Sequence, residues 1–128
     1  MNIEEDYVSY EVAKLLKGKG FNAKCDKCYA YFAYDDIRVL NLKYPKSAQS
    51  LSENRYPCIT LQMAMRWLRE VHKICIVVYP FTHRERGTYT SDICTVTMTM
   101  EEGHLRGVWN SYEEACEASI KYSLENLI

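Results

Sequence analysis

At 128 residues the chain has the length of one domain, and such a chain buries roughly two-thirds of its unfolded surface without needing metal or disulfide staples. Hydrophobic residues at 48% and charged residues at 26% are ordinary for a soluble globular protein. Sixteen Lys+Arg against 17 Asp+Glu leave a net charge of -1, which argues against a dedicated nucleic-acid coat or a polybasic membrane binder.

The N-terminus, MNIEEDYVSY, is acidic and lacks the basic-then-apolar pattern of a secretory leader, so a cytoplasmic setting is expected. There the six cysteines are expected to act as small hydrophobes rather than as a disulfide framework. Residues 4–17 are expected to be helical, because Val8, Val12, Leu15 and Leu16 fall near the 3.6-residue spacing. Gly18 and Gly20 are natural stops, after which Phe21 is expected to fold back onto the helix.

Cys28–Tyr34 and Arg38–Leu42 are strand candidates separated by Asp35-Asp36, an acidic pair expected to form a turn. The polar stretch YPKSAQSLSENRYP, residues 44–57, lies between two prolines and reads as a loop. It is the one plausible boundary in the chain, dividing a single domain of residues 1–128 into an N-terminal subdomain 1–57 and a core unit 58–128.

Thr60 is placed to cap a helix whose apolar stripe is Leu61, Ala64, Met65, Leu68 and Val71 or His72, widened by Met63 and Trp67. Arg66, Arg69, Glu70 and Lys73 remain for solvent, with Arg66 and Glu70 an i,i+4 pair. The run Ile74–Tyr79 follows without a turn signal and has the length of a strand, far short of a membrane span. Thr82–Ser91 reads as a loop or hairpin tip. In the next strand Cys94, Val96, Met98 and Met100 form an apolar face and Thr95, Thr97 and Thr99 a wet one. A turn at residues 101–104 and a short return strand, Leu105–Trp109, come next. Ser111 and Glu114 have the spacing of a capping box, and helical periodicity continues through Leu127. The expected fold is therefore α+β in the order α-β-β-α-β-β-β-α, with an antiparallel sheet and its helices on one face.

Few residues point to chemistry. Cys25 and Cys28 form a CxxC, but a structural zinc site needs four ligands and the other cysteines and histidines are solitary in sequence. No phosphate-binding glycine loop, hydrolase elbow or zincin motif is present, and no metal or cofactor is expected. Residues 60–128 have the element order of a double-stranded-RNA-binding domain. Where such a domain places lysines, this chain has Tyr112-Glu113-Glu114, and from Asn110 to Ile128 one lysine faces four glutamates. The coherent cationic stripe is Arg66, Arg69 and Lys73, the candidate site if nucleic acid is bound at all.

The segments SYEVAKLLKGKGF (9–21), LQMAMRWLREVHKI (61–74) and WNSYEEACEASIKYSLENLI (109–128) resemble a family of small uncharacterised proteins from phages and mobile elements of gut bacteria. That resemblance implies a bacterial or phage cytoplasmic setting and a shared scaffold, with no catalytic residues to carry over. The expected function is that of a non-enzymatic accessory or regulatory protein binding a protein partner or a second copy. The alternatives are a nucleic-acid-binding regulator and an enzyme with a site assembled from scattered residues such as His72, His104 and the aspartates.

Overall fold

The computed structural model describes residues 4–81, 87–95 and 107–128. Among the described residues it is an α+β protein with three α-helices and antiparallel sheets, divided into two compact units, Met1–Thr60 and Leu61–Ile128.

In the first unit, helix α1 spans Tyr10–Gly18 and begins later than the periodicity suggests. Ser9 is the reason: its Oγ accepts the Val12 N–H at 3.2 Å, which fixes the cap there. Val8, expected on the helix, instead lies in an extended lead-in whose N–H donates to Ile59 C=O, beside a bridge between Tyr7 and Thr60. The helix ends as expected. Phe21 N–H reaches back to Leu16 C=O at 2.9 Å and Gly20 N–H to Lys17 C=O at 3.2 Å, with Gly20 at φ 92. These are the paired bonds of a Schellman cap, and they carry Phe21 into full burial.

Strand β1 (Lys24–Ala33) is central in a three-stranded sheet of order β2-β1-β3, with β2 at Asp36–Ser47 and β3 at Arg55–Pro57. Tyr34 and Asp35 make the β1–β2 turn, with Asp35 at φ 61, while Asp36 opens β2 and pairs with Arg38 at 3.1 Å. The loop expected over 44–57 is largely structured. Lys46 and Ser47 pair with Cys25 and Lys24, a 3₁₀ turn covers Ala48–Ser50, and Arg55–Pro57 pairs with Cys28–Ala30. Long-range pairing with β1 has overridden a polar local composition. Tyr10 of α1 stacks edge-on against Tyr29 and Tyr56, centroids 6.0 and 5.5 Å away, and the Tyr29 hydroxyl donates to Val8 C=O.

In the second unit, helix α2 spans Leu61–His72 and buries Leu61, Ala64, Met65, Trp67 and Leu68. Met63 and Val71, expected on the apolar stripe, are exposed, so the buried face is narrower than the composition suggests. Strands β4 (Ile74–Pro80) and β5 (Tyr89–Thr95) form a separate two-stranded antiparallel sheet. Between α2 and β4 lies one residue, Lys73, at φ 58, a left-handed conformation that turns the chain without glycine.

Helix α3 (Tyr112–Asn126) is capped as expected, Ser111 Oγ accepting the Glu114 N–H at 3.1 Å, although the Glu114 carboxylate reaches back to Asn110 N–H rather than to Ser111. Its inner face is Ala115, Cys116, Ser119, Ile120, Ser123 and Leu124. These side chains decide which face of β5 is inside. Thr95, expected on the wet face, pairs with Ile74 on the side of buried Ile93 and Ser91, and Cys94 lies on the opposite side. Ser91 is the polar member of that inner face beside Ile93, and it meets Ser119 of α3 there. The remainder of that expected strand (96–100), the turn at 101–104 and the start of the return strand fall outside the described residues. Of the return strand, Trp109 forms an isolated bridge with Tyr89.

Candidate functional site

The stripe singled out in sequence is exposed at Arg66, Arg69 and Lys73. Its cations are only partly available. Arg69, not Arg66, pairs with Glu70 (Nε to Oε1, 3.8 Å), and Lys73 Nζ donates to Glu70 C=O at 3.0 Å. The i,i+4 pair expected between Arg66 and Glu70 is therefore replaced by a neighbour contact, and a loose exposed pair contributes about 0–1 kcal/mol. His72, the last residue of α2, makes an edge-to-face contact with Trp67, centroids 4.7 Å apart, and its buried Nε2 has no hydrogen-bond partner. His83 and His104 lie outside the described residues.

The CxxC cysteines sit in β1, where an irregular register between Cys25 and Lys27 breaks strict alternation and both thiols are buried. Burial, reinforced by Cys28 and Asp26, pushes the Cys25 thiol up to about 11, so it is a neutral thiol at physiological pH. Burial also raises the Cys58 thiol, against the lowering effect of a Tyr29 hydrogen bond. Among the described residues, no group of three or more His, Cys, Asp or Glu side chains is placed to hold a metal ion.

One surface that the sequence did not single out is the β2 edge. Cys58 N–H donates to Lys27 C=O and Tyr31 N–H to Asn54 C=O, so the odd residues of β1 direct their backbone toward β3. The even residues, Cys28 and Ala30, must then face β2, where their partners are Leu40 and Arg38. By the same alternation Ile37, Val39 and Asn41 direct N–H and C=O away from the sheet. Almost every side chain of β2 is half-buried or exposed, on both faces. Val39 is 55% and Tyr44 67% exposed, with Ile37, Tyr31 and Phe32 exposed beside them. The signal in sequence was IRVLNLKY, in which apolar residues fall on both parities with no polar face.

No family model, curated protein or solved structure matches the chain. The geometry of this edge therefore carries the functional argument. It can offer main-chain hydrogen bonds and apolar side chains to another strand, and it holds no nucleophile paired with a base.

Proposed function

We propose that this is a non-enzymatic accessory or regulatory protein that acts by protein–protein binding, with the β2 edge as its binding element and a second copy of the chain as occupant. The observation that carries the proposal is the outward row of backbone groups at Ile37, Val39 and Asn41, on a strand exposed on both faces. Such an edge is a template for another strand.

The charges favour a second copy over an unrelated peptide. Asp35 and Asp36 lie at the turn end of β2, and Lys43 and Lys46 at the other. Antiparallel pairing of two copies sets each acidic end beside the other's basic end, and a two-fold axis normal to the sheet lets one patch serve both chains. In the register that sets Asp35 opposite Lys43, the exposed Val39 of each copy meets the other's Val39, an apolar cross-strand pair worth about 0.2–1 kcal/mol. Pro45 offers no N–H, so the usable edge ends before it. The resemblance to phage and mobile-element proteins supports a bacterial or phage cytoplasm as the setting.

Light scattering over a concentration series tests the proposal. The mass rises from one chain toward two, and Val39→Pro removes the rise, because proline there deletes an outward N–H and spares the bonds to β1. One chain at every concentration rejects the second copy. A dimer indifferent to Val39→Pro rejects the edge.

A further inference from the structure

The described structure has six free cysteines, and ladder register sets one pair face to face. Cys75 on β4 and Cys94 on β5 are direct partners. Phe81 N–H donates to Thr88 C=O at 2.9 Å, which fixes the phase of the ladder. Stepping by two along an unbroken register, the hydrogen-bonded pairs are Tyr79–Thr90, Val77–Asp92 and Cys75–Cys94. Pro80 agrees with this phase, since it lacks an N–H and falls at the non-bonded pair with Tyr89, whose own N–H and C=O both bond Trp109 at 2.8 Å.

A hydrogen-bonded pair has its Cα atoms about 5.5 Å apart, inside the roughly 4.4–6.8 Å range of disulfides. No other register pair offers this. Cys25 and Cys28 are three residues apart along one strand, about 10 Å at a rise of about 3.3 Å per residue. Cys28 faces Pro57 rather than Cys58, and Cys116 is on the inner face of α3. The Cys75–Cys94 side of the hairpin also carries Val77 and Tyr79, exposed at 45% and 40%, so a small solute can approach it.

We propose that Cys75 and Cys94 form a thiol–disulfide exchange site, closed into an intramolecular bond by a small disulfide of the oxidised glutathione class. One protein thiolate attacks a sulfur of the oxidant, forming a mixed disulfide and releasing one reduced thiol. The second thiolate attacks the protein sulfur of that adduct, joins Cys75 to Cys94 and expels the second reduced thiol. The protein loses two protons and two electrons, and one oxidant becomes two thiols. At hydrogen-bonded pairs the Cβ atoms lie near the upper end of about 4.5–5.5 Å, wider than the roughly 3.5–4.5 Å a relaxed disulfide prefers. Closure draws the strands together, and the bond is of the strained, easily reduced kind. Burial, then Cys75 and Asp92, raises the Cys94 thiol above its usual pKa, so exchange accelerates as pH rises.

The test is oxidation of the full chain with excess oxidised glutathione, acid quench, alkylation and trypsin digestion. Arg84 and Arg86 lie between the two cysteines, so trypsin leaves them on separate peptides joined only by the new bond. The expected product is a single cross-linked pair, lighter than its two free-thiol peptides by two hydrogens and reopened by excess reduced glutathione. Cys94→Ser should instead trap a glutathione adduct on Cys75. Recovery of both cysteines alkylated, of separate adducts on each in the native chain, or of a bond that resists reduced glutathione would overturn the proposal.

Discussion

Ser119 on α3 and Ser91 on β5 meet hydroxyl to hydroxyl, 2.8 Å apart and fully buried. Ser119 Oγ also lies 2.7 Å from Ala115 C=O, which can only accept. With a single proton, Ser119 donates to that carbonyl and accepts the proton of Ser91. The helix thus satisfies a strand hydroxyl that would otherwise be buried unpaired.

Removing Ser119 alone is predicted to cost more than removing both serines. Ser119→Ala leaves the Ser91 hydroxyl buried without its acceptor, a loss of about 1–3 kcal/mol, whereas adding Ser91→Ala recovers much of it. Urea unfolding of the two single variants and the double variant measures the coupling.

Lys17 is predicted to hold the first unit together beyond its place in α1. Its ammonium donates to Leu51 C=O, Ser52 C=O and Arg55 C=O at 3.2, 3.0 and 2.9 Å, and lies 5.3 Å from the Tyr56 ring centroid. Three N–H bonds meet three carbonyls on the segment leading into β3. Lys17→Met should lower stability by about 1–3 kcal/mol and speed amide exchange in the segment 51–55, read by denaturation and exchange mass spectrometry.

Lys73 is predicted to be a strained position. A lysine at φ 58 carries a steric cost of about 1 kcal/mol that glycine avoids, while its Nζ bond to Glu70 C=O is exposed and weak. Lys73→Gly should raise the unfolding free energy by up to about 1 kcal/mol, measurable as a higher urea midpoint.

These positions separate what local sequence could reveal from what it could not. Helix α3 was legible because Ser111, Glu114 and the inward run from Ala115 to Leu124 carry cap and period within one segment. The turn at Lys73 was illegible because a lysine carries no signal for left-handed backbone. The face of Thr95 was ambiguous, since an alternating strand fits either parity until the Ser91–Ser119 contact chooses one. Strand β2 itself continues through Tyr44–Ser47, where composition reads as loop and pairing with Lys24 and Cys25 supplies the order. Of the candidate site, Arg66, Arg69 and Lys73 were visible as charges, but their engagement by Glu70 was not.

Alkaline pH is predicted to weaken both units through buried thiols. Burial is the main cause that lifts Cys25 and Cys116 from 9.0 to about 11, with a Tyr112 hydrogen bond partly opposing it at Cys116. Between those values the unfolded chain has lost thiol protons that the folded chain keeps. Stability from this source is complete below about pH 9 and declines as pH rises toward about 11. Unfolding under reducing conditions at about pH 8 and about pH 10.5 should show the fall, and the Cys25→Ala/Cys116→Ala variant should show a shallower one.

Residue-resolved hydrogen exchange of β2 at low and high protein concentration tests the central claim most directly. Arg38 and Leu40 amides, bonded to β1, should be protected at both concentrations. Ile37, Val39 and Asn41 amides, directed outward, should exchange freely when dilute and become protected as copies pair. Exchange at those three positions that is unchanged by concentration would contradict the account.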